Sequence, residues 1–193
     1  MTPDFPALWT TCEIRPEKIG MVARVANDLA KCRGRYEAIA REFRMPWEVV
    51  AVIDYRESGG GCRCHLHNGD SLKARTVHVP AGRPRGNPPF TWEESARDAL
   101  HYDGVERVKA WTIEATLDFL ERYNGLGYRG HGVRSPYLWA ATNHQQAGKY
   151  VADGVWSSTA MDAQLGVCAL LKALQWAPDV VTVAEDLAQR PLP

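Results

Sequence analysis

Glu57 is the residue whose position in the sequence says most about chemistry. In the segment that begins at Trp47, Val50, Ile53 and Glu57 follow one another at spacings of three and four residues, which places the carboxylate on the apolar face of a helix. A triple glycine at 59–61 ends that helix. Apolar neighbours and the negative end of the helix dipole both disfavour the ionised form, so the pattern predicts a raised pKa. Such a group can act as a general acid near neutral pH. The alternative is a glutamate that extends into solvent or pairs with a nearby arginine.

Two further polar residues lie downstream in a turn-forming stretch. Asp70 belongs to the cluster Asn68-Gly69-Asp70-Ser71, and Thr76 follows after five intervening residues. An aspartate in a polar turn stays ionised, whereas Glu57 is expected to stay protonated. Two carboxyls that differ in this way are the minimum machinery for cleaving a glycosidic bond. Thr76 is then expected to hold the attacking water, and His78 to share its face of a strand. The alternatives are a turn-capping aspartate and an ordinary strand threonine.

A rival interpretation comes from four potential zinc ligands within six residues, namely Cys62, Cys64, His65 and His67. Structural zinc sites usually draw their ligands from two separated pairs. The spacing here is too compressed for all four side chains to reach one tetrahedral ion. A zinc site is therefore kept as an alternative only, and the main prediction involves no metal and no cofactor.

The elements that must position these residues are mostly helical. Apolar periodicity predicts helices at 16–32, 36–43, 47–58, 91–123, 137–150 and 161–171. Thr91 and Glu94 have the spacing of a capping box. The glycine- and proline-rich segment 59–89 contains one alternating run and is predicted to form a small β-hairpin region. This pattern favours an α+β fold dominated by helix.

Composition narrows the class of protein. The 193 residues are 45% hydrophobic and carry 23 basic and 23 acidic side chains, so wholesale disorder is excluded and a dedicated nucleic-acid binder is not expected. No apolar run approaches the length that spans a bilayer, so no membrane insertion is expected. Five cysteines do not form the framework of a small secreted domain. Synthesis in a reducing cytoplasm is therefore expected.

Several of these motifs together resemble the lysozyme superfamily. Glu57-Ser58-Gly59 at a helix end, followed by Asp70 and Thr76 with five residues between them, resembles phage-type lysozymes. The same helix ending is similar to that of goose-type lysozymes and soluble lytic transglycosylases. Segments 123–128 and 135–139 are similar to a region of phage and bacterial lysozyme-like proteins that lines a sugar groove.

The resemblance implies a lysozyme-like fold, with a small β-hairpin beside a helical lobe. It implies one catalytic domain over 1–193, with an N-terminal helical part at 1–45, a catalytic core at 46–177 and a C-terminal tail at 178–193. Glu57 would be the acid, and Asp70 with Thr76 would activate water. The expected substrate-binding residues are polar or aromatic: Ser58, His78, Asn124, Tyr128, Tyr137, Trp139, Asn143 and Tyr150.

The activity implied is that of a peptidoglycan muramidase, which cleaves the β-1,4 bond between N-acetylmuramic acid and N-acetylglucosamine. A monomeric phage endolysin, held in the host cytoplasm until a holin-type pore releases it, fits this expectation, and so does a virion-associated lysin. Three alternatives stay open: a lytic transglycosylase that uses Glu57 alone, a zinc-binding protein, and a non-catalytic glycan-binding module.

Overall fold

The computed structural model describes residues 3–152 and 154–177, so the expected tail at 178–193 lies outside the described residues. Its α-helices are α1 (Phe5–Thr10), α2 (Ile19–Ala30), α3 (Arg33–Phe43), α4 (Trp47–Ser58), α5 (Trp92–Tyr102), α6 (Ile113–Asn124), α7 (Gly127–Gly130), α8 (Pro136–Trp139) and α9 (Val167–Ala173). Short 3₁₀ turns lie at Pro16–Lys18 and Val105–Arg107. Strands β1 (Lys149–Ala152) and β2 (Val155–Ser157) form a two-stranded antiparallel sheet. The α+β class with mostly helical content is confirmed.

Helix α4 runs through the centre of the protein. Its residues from Val49 to Asp54 are all buried, and it packs against α3 on one side and α9 on another. The buried apolar cluster extends from Phe5 to Trp176 and includes the aliphatic face of α4. Since α4 is enclosed along most of its length, its last turn is held firmly in place where the chain leaves the core.

The helix prediction is most accurate where local signals are strong. Helix α4 has the predicted bounds of 47–58. The capping box at the start of α5 is confirmed in both directions, because the Thr91 hydroxyl accepts from the Glu94 amide and the Glu94 carboxylate accepts from the Thr91 amide. The last helix is shorter than predicted, since it begins at Val167 and not at 161.

The predicted hairpin at 59–89 is wrong. Within this segment the structure has only one isolated bridge, between Cys64 and Ser71, and the rest is loop. Prolines at 80, 84, 88 and 89 supply no amide donors for a strand ladder. The backbone of Thr76 instead pairs with Gly82 and Arg83, which closes a compact loop.

The strands begin at the end of the segment predicted as the 137–150 helix and continue beyond it, to Ser157. Only Pro136–Trp139 is helical there, and β1 follows at Lys149. Tyr150 pairs with Trp156 across the sheet. The sequence Asp153-Gly154, between two runs rich in valine and aromatic residues, is a hairpin signal that lies just beyond the predicted helix.

Candidate active site

Glu57 lies in the last turn of α4, where the chain leaves the core. Gly59 follows in the left-handed conformation and its amide bonds to the carbonyls of Asp54 and Tyr55, which ends the helix. The buried hydroxyl of Tyr137 donates a hydrogen bond to Glu57 Oε1 at 3.2 Å. Glu57 thus faces a phenol that comes from α8, far along the chain.

The environment of Glu57 raises its pKa to about 7. Burial is the largest cause, and the hydrogen bond from Tyr137 and the charge of Arg56 oppose it. The negative charge of Asp103 raises the pKa further. The shift has the direction that the sequence predicts, and a carboxyl group with a pKa of about 7 is about half protonated near neutral pH.

Two tyrosines, the buried Tyr137 and the partly buried Tyr123, lie near the Glu57 carboxylate and remain protonated. Burial raises the pKa of Tyr137 and of Tyr123, and the charge of Glu57 raises both further. Tyr123, from α6, donates its hydroxyl proton to the Leu66 carbonyl at 2.8 Å. Tyr137 was expected to contact substrate, but it is only 2% exposed and acts on Glu57 instead.

A buried carboxylate one turn earlier, that of Asp54, holds the end of α4 in shape. It accepts hydrogen bonds from Tyr36 Oη at 2.7 Å, Trp92 Nε1 at 3.2 Å and the Cys62 amide at 3.0 Å. The Ser58 hydroxyl donates to it at 2.9 Å. Ser58 was expected to bind substrate, yet its hydroxyl is used inside the protein.

A cavity of about 470 Å³ opens beside this helix end. Arg56, adjacent to Glu57, lines it together with Lys149 and Asp162. Asp162 accepts from Arg56 and Lys149 at 3.0 Å each. The two cations lower the pKa of Asp162 against the opposing effect of burial. The guanidinium of Arg56 also lies 4.7 Å from the centre of the Tyr137 ring, so the cavity and the Glu57 environment share a wall.

Aromatic side chains form the other side of the cavity. Tyr128 and Tyr150 line it, with ring centres 5.4 Å apart. Trp156 packs on both rings and stacks on His131 at 3.7 Å. Asn124 lines the cavity as well. Of the expected groove residues, the structure thus brings Asn124, Tyr128 and Tyr150 together.

Asp70 is held in the loop that contacts the end of α4. Gly69 lies so close to the Glu57 carbonyl that a Cβ atom would come within 2.2 Å of it. The Asp70 carboxylate accepts from the amides of Val77 and His78, at 2.8 and 3.0 Å, and from the His78 ring at 2.7 Å. Burial raises the pKa of Asp70, but these hydrogen bonds outweigh it and lower the pKa. Asp70 is therefore ionised as expected, with its oxygens bonded to the loop.

Thr76 does not occupy a strand and has no free hydroxyl. The side chain is 3% exposed, donates to the Pro80 carbonyl and accepts from the Arg83 amide. The expectation that it holds an attacking water is not supported, because both hydrogen-bonding functions close the loop. His78 is largely exposed, and its ring pairs with Asp70.

Two expected groove residues are committed elsewhere. Trp139 is 1% exposed and packs against His144, so it belongs to the core and cannot stack on a sugar. The Asn143 side chain accepts from the Glu13 amide at 3.0 Å and donates to the Thr11 carbonyl at 2.8 Å. Asn143 therefore fastens the N-terminal segment to the loop that follows α8.

The candidate zinc ligands do not converge. Both ring nitrogens of His65 are bonded, to Ser95 and to the Ala74 carbonyl, and His67 pairs with Asp98 at 2.8 Å. Within residues 3–152 and 154–177, no group of three His, Cys, Asp or Glu side chains is placed to hold a metal. The geometry thus gives the zinc alternative no support.

Sequence reasoning missed Asp103, the residue after α5. Its charge raises the pKa of Glu57, and burial raises its own pKa to about 7. It lines a second cavity of about 540 Å³. In the sequence it is an aspartate before a glycine at a helix end, which is indistinguishable from a turn residue. No sequence motif therefore indicated that the Asp103 carboxylate lies close enough to Glu57 to affect its pKa.

The pKa of Glu57 has a consequence for stability. A carboxyl with a pKa of about 7 in the folded chain and 4.5 in the unfolded chain costs the folded state up to about 3 kcal/mol above pH 7, and nothing below pH 4. We expect Glu57→Gln to raise the melting temperature by several degrees at pH 8 and to leave it unchanged at pH 4. Thermal unfolding followed by circular dichroism tests this. Equal melting temperatures at pH 8 would contradict the buried setting.

In comparisons with family models, with curated proteins and with solved structures, no match to this chain was found. Among the described residues, no helix is both long and apolar enough to cross a membrane.

Proposed function

We propose that this protein cleaves the glycan strands of peptidoglycan, at the β-1,4 bond between N-acetylmuramic acid and N-acetylglucosamine, and that its helices and hairpin form a lysozyme-like catalytic fold. The observation that carries the proposal is Glu57, a carboxyl with a pKa of about 7 that borders Tyr137 and lies one residue from the lining of an aromatic cavity. Cleavage of a glycosidic bond requires a group of this kind beside a surface that can hold sugars.

In the proposed reaction, Glu57 donates its proton to the glycosidic oxygen as the bond to the muramyl carbon breaks. Tyr137 donates to Glu57 Oε1 and so directs the carboxyl group. Once Glu57 has lost its proton, the same hydrogen bond stabilises the carboxylate. The carboxylate is then ready to accept a proton from the nucleophile that attacks the sugar.

The nucleophile distinguishes two candidate activities. In a muramidase it is water, which Asp70 and Thr76 were expected to activate. The oxygens of Asp70 and Thr76 are instead bonded within the loop. This observation favours the second candidate, a lytic transglycosylase, in which a hydroxyl of the muramyl residue closes a ring and passes its proton to Glu57.

Digestion of purified peptidoglycan, with mass spectrometry of the products, tests both activities. Anhydromuramyl ends identify transglycosylation, and reducing muramyl ends identify hydrolysis. A non-catalytic glycan-binding module would bind the walls and release neither product. Intact glycan strands after digestion would therefore overturn the proposed function.

The proposal includes a biological role, that of a phage endolysin or of a virion-associated lysin. The partner is the glycan strand itself. Release through a holin-type pore, and action as a monomer, are parts of the proposal.

The aromatic wall provides a prediction about substrate affinity. Tyr128 lines the cavity and packs edge-on against Tyr150 and Trp156. We expect Tyr128→Ala to raise KM for glycan fragments about tenfold and to change kcat little, because stacking acts on bound substrate before and during the reaction. Steady-state kinetics on soluble fragments measures this. The control is Tyr102→Ala, which removes an exposed tyrosine outside this cavity and should leave KM unchanged.

A further inference from the structure

The cavity lined by Arg56, Lys149 and Asp162 carries an excess of positive charge. Both cations pair with the single carboxylate of Asp162, each at 3.0 Å. Arg56 and Asp162 are only 8% exposed, whereas Lys149 is 29% exposed. Two cations that share one carboxylate leave a net charge of +1 on this side of the cavity. Of the three side chains, Lys149 is the one that is partly exposed.

Hydrogen-bond donors in the same cluster lack acceptors. Nε of Arg56 is buried and has no hydrogen-bond partner among the described residues. A lysine ammonium has three donor hydrogens, and Lys149 directs one to Asp162. Arg56 Nε is enclosed by protein, so the donors that a ligand in the cavity can reach are the remaining hydrogens of the Lys149 ammonium. Together with the net positive charge, they favour an anionic, oxygen-rich ligand at this wall.

The remaining wall suits the ring of an amino sugar. Tyr128 and Tyr150 present aromatic surface, and the Asn124 amide is able to bond hydroxyl or acetamido groups. The ligand that matches both walls is a sugar that bears a carboxylate. In a peptidoglycan strand, only the muramyl residue carries one, on its lactyl group or on the peptide attached to that group.

We propose that this cavity is the subsite that recognises the muramyl residue, with Lys149 as the donor to its carboxylate and Arg56 as a second, buried positive charge beside it. The inference rests on the proposed function, since it assigns a place to one of the two sugars of that substrate. It explains how a chain with such a site would select wall glycan over neutral polymers of N-acetylglucosamine.

Binding of uncleavable monosaccharides tests the proposal without any turnover. The probes are N-acetylmuramic acid, muramyl dipeptide and neutral N-acetylglucosamine, each titrated into the wild-type chain and followed by NMR. We expect at least one carboxylated probe to bind about tenfold more tightly than N-acetylglucosamine. Tighter binding of N-acetylmuramic acid would show that the lactyl carboxylate is recognised, and tighter binding of muramyl dipeptide would show that the peptide carboxylate is recognised.

Lys149→Met should remove that preference, and Lys31→Met should retain it. Lys31 is a suitable control because it also pairs with one aspartate, Asp28, on an exposed helix surface. A measurement on the wild-type chain needs no variant: the preference should fall as salt is raised from 50 to 500 mM, because screening weakens the charge contact. Equal binding of all three probes, or a preference that neither salt nor Lys149→Met reduces, would overturn the proposal.

This outcome is separable from the fate of the proposed function. Cleavage of peptidoglycan with equal binding of all probes would refute the subsite and leave the activity. Carboxylate-dependent binding without any cleavage would refute the activity and leave the subsite.

Discussion

Glu57→Gln is expected to reduce cleavage of purified peptidoglycan at least about 10³-fold while the protein stays folded. The amide keeps the shape of the carboxyl and can still accept from Tyr137, but it cannot donate a proton to the leaving oxygen. General acid catalysis contributes about 10² to 10⁴ in rate. The measurement is the initial rate of glycan release at pH 6, where most wild-type Glu57 is protonated.

The matched control is Glu48→Gln at the other end of the same helix. Burial also raises the pKa of Glu48. If Glu57→Gln loses cleavage and Glu48→Gln does not, the loss is specific to Glu57 and does not follow from replacing any glutamate with a raised pKa. Retained activity in Glu57→Gln, or an equal loss in Glu48→Gln, would show that Glu57 is not the acid.

Asp54→Ala is expected to destabilise the fold by about 3–5 kcal/mol, because several buried donors lose their acceptor, and this leaves little of the stability of an ordinary domain. The substitution removes the acceptor of four donors at once, and three of them, Tyr36, Trp92 and the Cys62 amide, belong to buried residues. Urea unfolding measures the loss. The control, Ser58→Ala, removes one of those donors and keeps the acceptor, so it should cost about 1 kcal/mol or less.

The same experiment tests whether Asp54 holds the turn that positions Glu57. Asp54 bonds both Ser58 and the chain after the triple glycine, so Glu57 depends on it for its position. An Asp54→Ala variant as stable as wild type would mean that the turn after α4 holds its shape without this carboxylate.

What the sequence predicted well is local. The apolar face of α4, its glycine stop and the raised pKa of Glu57 depend on residues within one helix and one turn. The capping box of α5 likewise depends on two residues three positions apart. Features such as these can be predicted from the sequence because the residues that form them are close together in the chain.

What the sequence did not predict depends on distant contacts. Tyr137 reaches Glu57 from 80 positions away, and Asp103 acts on it from the end of another helix. The roles expected of Asp70 and Thr76 assumed a hairpin, but this segment is a loop in which both side chains are hydrogen-bonded within the loop itself. Trp139 has an aromatic ring like Tyr128, and only the packing shows that one is core and the other lines a cavity.

The measurement that tests the central claim most directly is a titration of the Glu57 carboxyl itself, by ¹³C NMR of protein with labelled glutamate. The Glu57→Gln spectrum assigns the resonance. We predict a pKa of about 7 for Glu57, and a lower value in Asp103→Asn, because that substitution removes the neighbouring negative charge. A Glu57 pKa near 4.5 that Asp103→Asn does not change would show an ordinary ionised carboxylate and would contradict the account.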